Sequence, residues 1–340
     1  MGAGKATLPD FNPRLPWWGG DLQTVRSYFL NRFPRLPDRP AERLLLPVND
    51  GSGDALAAAL HRPDAAAESG RPLVVLVHGL GGCEASCYVV TATAYFLKRG
   101  HPVLRLNLRG AGPSRPHCRL QYHAGSTADL HAALGGLDPA LTRHGVVAVG
   151  FSLGGNLLLK YLGEHGAGAP ITAAASVSAP IDLAAASRCL LRWRNALYHR
   201  YLLGGVKRNC TTTPAAELTA RERAAILAAR SLYAFDHAFT ARRNGYWDAD
   251  HFYEANAAKR FLDAIRTPTL LIHAEDDPFV PAAPYHGIDW RRLRHLTPLL
   301  PRSGGHLGFH DPSGFWLLRC IGAFFEGRSV GGGGGVASGR

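Results

Sequence analysis

The run Val146–Lys160, VVAVGFSLGGNLLLK, changes character at its midpoint. Its first half is apolar and β-branched, the composition of a buried strand. Its second half is leucine-rich and helix-forming. Between them stand Gly150-Phe-Ser-Leu-Gly154, so the pattern predicts strand, sharp turn, helix, with Ser152 at the apex. Such a turn holds a serine Oγ above the end of a sheet. Small residues two before and two after the serine are needed because the neighbouring backbone passes too close for a Cβ. Ser152 is the candidate nucleophile.

A serine hydroxyl is a weak nucleophile until a base takes its proton. On a strand–turn–helix of this kind the acid and the histidine follow the serine in that order. Pro268-Thr-Leu-Leu-Ile-His273 reads as a buried parallel strand and opens into Ala274-Glu-Asp-Asp-Pro-Phe-Val-Pro281, where Glu275, Asp276 and Asp277 are adjacent acids. Leu296-Thr-Pro-Leu-Leu300 is a further short strand, followed by Ser303-Gly-Gly-His306-Leu-Gly-Phe309. A histidine among glycines after the last strand suits a loop that must fold back over Ser152. His306 is expected to accept the Ser152 proton and return it to the leaving group, while the acid fixes its tautomer. The strand Leu73–His78 runs into Gly79-Leu-Gly-Gly82. Backbone N–H groups after this strand and after the nucleophile form an oxyanion hole in such sites, which assigns the amides of Leu80 and Leu153. His78 reads as a strand-end histidine that packs or bonds locally, with a direct chemical role as the alternative.

With these blocks in place the chain resembles the YheT-type α/β hydrolases, a group whose eukaryotic relatives include membrane-anchored lipid hydrolases. The resemblance runs from about Phe11 to Phe325. It rests on His78-Gly-Leu-Gly-Gly82 with Ser86 and Tyr88, on Asn107-Leu-Arg-Gly110, on Tyr122-His-Ala-Gly125 with Asp129, and on the acid and histidine blocks. Gly20-Asp-Leu-Gln-Thr24 resembles the group's His-Leu-Gln-Thr segment, with Asp21 where the group has His. Asp277, followed by Pro, an apolar pair and Pro, resembles the usual acid loop of the fold and is the preferred acid. Asp276 would then cap the loop. The resemblance implies hydrolysis of carboxylic esters, and the apolar insertion suggests an acyl-lipid or medium-chain substrate. Transfer of the acyl group to an acceptor other than water, and a silent lipid-binding protein, are the alternatives.

The remaining sequence bounds the organisation. From Leu73 apolar strands alternate with helical stretches, the signature of a parallel sheet covered on both faces. The expected class is α/β: an α/β-hydrolase fold with a mostly parallel, doubly wound sheet of about eight strands and a helical cap insertion. Residues 1–40 read as an irregular arm, 41–181 and 253–326 as the core, 182–252 as the cap, and the glycine-rich 327–340 as a disordered tail. Glu42–Val48 and Asp54–His61 read as a hairpin. Within the cap, residues 187–203 read as one basic amphipathic helix. It would either meet a lipid surface or pack on the core, and Leu190, Trp193, Leu197 and Tyr201 would wall the acyl pocket.

The 340 residues are 46% hydrophobic, enough for a buried core, and no run of about 18 apolar residues suggests a membrane span. The first residues lack the apolar centre of a secretory signal. Six scattered cysteines form no Cys-x-x-Cys pair, so neither a metal site nor a disulfide framework is expected and a reducing cytoplasm fits. The net charge of +12 is spread over arginines without a basic run or a nucleic-acid-binding motif, so no nucleic-acid partner is expected. No cofactor is implied: Arg109-Gly-Ala-Gly112 lacks both the phosphate-loop Lys and the third glycine of a dinucleotide fingerprint. It reads as a tight crossing loop with Arg109 bonding loop carbonyls. Asp250 reads as a helix N-cap rather than a metal ligand.

Overall fold

The apolar runs assemble into one eight-stranded sheet in the computed structural model, which describes residues 8–30, 36, 40–63, 70–211 and 218–329. Helix α1 (Gly20–Leu30) precedes the hairpin β1 (Glu42–Pro47) and β2 (Ala55–His61). The alternating part then runs β3 (Leu73–Val77), α2 (Cys87–Leu97), β4 (Val103–Leu106), α3 (Thr127–Gly135), a short α4 (Pro139–Thr142), β5 (Val146–Phe151), α5 (Leu153–His165) and β6 (Ala173–Val177). The strand order is β1-β2-β4-β3-β5-β6-β7-β8, where β7 is Thr269–Ile272 and β8 is Leu296–Leu299. Within this sheet the strands from β4 to β8 are parallel, and only the β1–β2 and β2–β4 pairs are antiparallel.

Burial explains the uninterrupted apolar runs. Every residue of β3, β5, β6 and β7 is buried, as expected where both faces of a parallel sheet are covered. Alternate residues serve opposite faces. Val75, Val77 and Ala148 pack with Leu130 of α3 and Leu157 and Leu158 of α5. Val74, Leu76 and Val149 pack instead with Phe96 of α2 and with Trp316 and Ile321 of the last helix. Each fully buried side chain of this size contributes about 1.5–3 kcal/mol. The α/β-hydrolase class and the eight-strand count expected from the sequence hold.

Among the described residues no strand lies between Val177 and Thr269. The segment is helical: α6 (Leu183–Leu190), α7 (Ala196–Thr211), α8 (Ala220–Ala228), α9 (Leu232–Phe235), a π-helical turn (Asp236–Thr240), α10 (Ala241–Arg243) and α11 (Ala249–Asn256). It carries its own apolar cluster around Val206, Ile226, Phe235 and Phe239. The expected single helix over 187–203 is not present. The chain leaves α6 at Leu191, extends at Arg192 (ψ 142°), makes one 3-10 turn and restarts as α7. The buried Asn195 fixes the break by donating to the carbonyls of Cys189 (2.9 Å) and Pro278 (2.7 Å).

The two ends also differ from expectation. The segment read as irregular contains α1. At the other end, beyond the short α12 (Ala283–His286) and a two-stranded ribbon of β9 (His310–Asp311) and β10 (Gly314–Phe315), α13 runs from Trp316 to Ser329, past the expected boundary at 326. Residues 330–340 of the expected tail lie outside the described residues. No helix among the described residues is long and apolar enough to cross a membrane.

Candidate active site

Ser152 sits at the carboxyl end of β5, near the middle of the sheet, with φ 52° and ψ −120°. For a non-glycine residue this backbone is strained by about 1–3 kcal/mol. Close packing holds it there. A Cβ on Gly150 would stand 2.5 Å from the Gly154 carbonyl oxygen, and one on Gly154 would stand 2.4 Å from the His78 carbonyl oxygen. The N-terminus of α5 begins at the next residue, so the positive end of its dipole lies beside the serine.

His306 lies 2.9 Å from Ser152, Nε2 to Oγ, and 2.8 Å from Asp277, Nδ1 to Oδ2. The other Asp277 oxygen accepts the N–H groups of Phe279 (2.8 Å) and Val280 (3.0 Å). Burial alone would raise the Asp277 pKa, but the charge and hydrogen bond of His306, with help from His273 and the Val280 N–H, hold it below the ordinary value. Asp276 points elsewhere, accepting the Gly305 N–H at 2.9 Å. Burial raises its pKa against the pull of that bond. Of the two adjacent acids, Asp277 is the one in contact with the histidine.

The loop after β3 is held by two tyrosines. Tyr88 Oη accepts the Gly79 N–H (3.0 Å), while Tyr122 Oη accepts the Gly81 N–H (2.7 Å) and donates to the Gly79 carbonyl (3.2 Å). His78 is fully buried beneath them. Its Nε2 accepts the Leu108 N–H (3.1 Å), so the proton is on Nδ1 and goes to the Gly79 carbonyl (2.8 Å). Burial pushes its pKa down to about 4, leaving a neutral ring that serves the loop. Gly79 packs on the serine: a Cβ there would be 2.9 Å from Ser152 Cβ. The amides of Leu80 and Leu153 have no protein acceptor among the described residues. Both leucines line a cavity of about 150 Å³ under the cap, shared with Leu190, Val206, Phe235 and Phe239.

A second cavity of about 220 Å³ is lined by His306, Tyr88, Tyr198, Tyr201 and Phe279. Of the four cap residues expected to wall a pocket, only two line either cavity. Leu190 lines the first cavity and Tyr201 the second, but Trp193 and Leu197 are 90% and 81% exposed. Once the helix breaks at Arg192, these two side chains face solvent.

Sequence reading assigned no role to Gln23 and Thr24. Thr24 Oγ1 donates to the Gly20 carbonyl (2.6 Å) and accepts the His306 N–H (2.8 Å). Gln23, fully buried, donates to the carbonyls of Trp17 (2.7 Å) and His310 (3.0 Å) and accepts the His310 N–H (2.7 Å). Asp21 faces the cap, accepting from Arg194 Nη2 (2.8 Å) and Tyr198 Oη (3.0 Å). Local sequence carried no signal for the contacts to His306, His310, Arg194 and Tyr198, because these partners lie far along the chain. Arg109 bonds carboxylates rather than loop carbonyls: it grips Asp129 with two nitrogens (2.7 and 3.1 Å) and reaches Asp50 and Asp54. Asp54 in turn receives the N–H groups of Arg119 and Leu120, which positions the loop carrying Tyr122. Buried carboxylates outcompete carbonyls for a buried guanidinium. The N-cap of α11 is Asp248, not Asp250, which instead accepts from Tyr233 Oη.

Residues 72–313 match the alpha/beta hydrolase fold family. The chain belongs to the α/β hydrolases. It is 34% identical over 250 residues to YheT of Escherichia coli (strain K12), covering 70% of this chain and 71% of that one. The resemblance read from the sequence thus holds. A yeast relative, the medium-chain fatty acid ethyl ester synthase/esterase 2 of Saccharomyces cerevisiae, is 28% identical over 282 residues, covering 75% of this chain and 62% of its own length. Among solved structures, the Pyrococcus furiosus esterase PF2001 superposes with a TM-score of 0.57 at 16% identity, covering 86% of this chain and 96% of that one.

Proposed function

We propose that this carboxylic ester hydrolase works through an acyl-enzyme on Ser152. The reading rests on the continuous hydrogen-bonded relay from Ser152 through His306 to Asp277, at the apex of a strained turn. Ser152 Oγ attacks the ester carbonyl carbon as His306 Nε2 takes its proton. The Leu80 and Leu153 N–H groups receive the oxygen that gains charge; losing one such donor costs roughly 10²–10³ in rate in other enzymes. The carbon–oxygen bond to the alcohol then breaks, and the alcohol oxygen takes the proton from His306. Water repeats the cycle on the acyl-enzyme. Asp277 stays ionised and holds the ring throughout.

The two cavities suggest how the ester lies. The one bordered by both oxyanion leucines takes the acyl chain, and the one bordered by His306 takes the alcohol, which must receive a proton from that ring. A cavity of about 150 Å³ is the size that holds a benzene ring elsewhere, which favours acyl chains of short to medium length. The yeast relative is named for medium-chain esters. Its name also includes synthase, and a cavity beside His306 suits an acceptor alcohol, so acyl transfer is the second reading. The six free cysteines support a reducing, cytoplasmic compartment.

A fluorophosphonate is expected to label the wild type at Ser152, and Ser152→Ala is expected to abolish labelling and to lower ester hydrolysis by about 10⁶. Hydrolysis retained in a folded Ser152→Ala protein would end the proposal. Product analysis with ethanol present separates the two readings, since transfer yields ethyl ester where hydrolysis yields only acid.

A further inference from the structure

The break between α6 and α7 turns apolar side chains outward next to Tyr198 and Tyr201, which line the His306 cavity. Trp193 and Leu197 are among the most exposed large apolar residues, and Tyr201, one turn further along α7, is 59% exposed while lining that cavity. The Asp21 bonds to Arg194 and Tyr198 bring the N-terminal segment to the same junction. Trp18 (59% exposed) and the exposed Leu22 flank Asp21 in sequence. Scattered surface apolar residues need no explanation, but a set gathered at one opening does.

Along this stretch of chain the charge has one sign. Residues 187–211 contain Arg188, Arg192, Arg194, Arg200, Lys207 and Arg208 and no acidic residue. Arg192 and Arg200 are exposed next to Trp193 and Tyr201. Asp21, the carboxylate at the junction, is neutralised by Arg194. The opposite side of α7 is committed to the fold: Val206 and Cys210 are buried in the cap cluster, and His199 accepts the Leu232 N–H. What remains outward is an apolar strip with arginines along its edge, the pattern of an element that lies at a lipid–water interface.

We propose that this face docks the enzyme on a bilayer carrying anionic lipid, with the mouth of the His306 cavity against the headgroups. Trp193 and Leu197 enter the interface, the arginines meet the phosphates, and an ester partitioned into the bilayer reaches the site through the second cavity. The docking surface stands on exposure and charge, independent of the chemistry proposed at Ser152.

Co-sedimentation of the full chain with phosphatidylcholine vesicles, with and without phosphatidylglycerol, tests it. Binding is expected to the anionic vesicles and to weaken as salt rises. Trp193→Ser with Leu197→Ser is expected to lower vesicle affinity by about tenfold or more and to leave hydrolysis of a water-soluble short ester unchanged, which also shows that the variant folds. Ser152→Ala protein is expected to bind as the wild type does, so failure of docking and failure of the catalytic reading are separate results. Absence of binding to anionic vesicles, or equal binding by the double variant, overturns the proposal. So does a wild-type dimer that the double variant splits without any vesicle binding, which would give the face to a second copy.

Discussion

Thr24 accepts the His306 N–H and donates its own hydroxyl to the Gly20 carbonyl, so its effect on the site comes through the placement of the histidine loop. Thr24→Val keeps the shape and removes the acceptor, leaving an unpaired N–H at a cost of about 1–3 kcal/mol. A fall in kcat of roughly tenfold with little change in KM is expected, with Thr24→Ser restoring it. The two aspartates separate more sharply. Asp277→Asn should lower kcat by about 10⁴, as an amide in place of the acid selects the wrong tautomer, whereas Asp276→Asn acts only on the loop and should cost far less. A reversed order would give the role to Asp276. Their surroundings also set how stability varies with pH. Asp277 is held below its ordinary 3.8, so its contribution is complete above that value and lost as pH falls through the lower, folded-state value. Asp236, beside the first cavity, is pushed up by burial to about 6, so folding loses free energy as pH rises from about 4 to 6. Thermal unfolding should therefore find Asp236→Asn more stable than wild type at pH 8, with that advantage gone at pH 4.

At the scale of the element, the α6–α7 break decides which side chains line the two cavities. Asn195→Ala removes the amide that donates to the Cys189 and Pro278 carbonyls; Cys189 keeps the Arg192 N–H, and the loss at Pro278 costs about 1–3 kcal/mol. Because Pro278 follows Asp277, a loss of kcat should accompany the fall in Tm. Leu190→Ala enlarges the first cavity and should move the preferred p-nitrophenyl ester toward longer acyl chains, each added CH₂ that finds a place there being worth about 0.8 kcal/mol, roughly fourfold. Leu197→Ala should leave that profile unchanged. Sequence pattern could not locate the break, because leucines and tyrosines keep helical spacing straight through it. The signal is a tertiary one: a buried asparagine reaching a carbonyl in the acid loop. The elbow was legible for the opposite reason, since its glycines, serine and flanking apolar runs all sit within one short window.

At the scale of the molecule, the parallel core could be read because buried strands such as Leu73–Val77 and Val146–Phe151 are unbroken apolar runs. Helix α1 could not. Gly20–Leu30 mixes polar and apolar residues after two glycines, and its buried Gln23 looks like a surface residue until His310 arrives from the other end of the fold. The serine, the acid and the histidine were visible by their local blocks, while Thr24 and Gln23, which hold the histidine loop, bond to it across 282 and 287 residues. That separation has a consequence for how the protein is made. Ser152 leaves the ribosome 154 residues before the His306 ring it bonds, and Thr24 leaves it 282 residues before the N–H it accepts. A half-synthesised copy carries the elbow but neither the histidine nor the clasp between the first helix and the last loop. On the mechanism proposed above, the serine therefore has no base within reach until translation has passed His306 and α1 has met that loop.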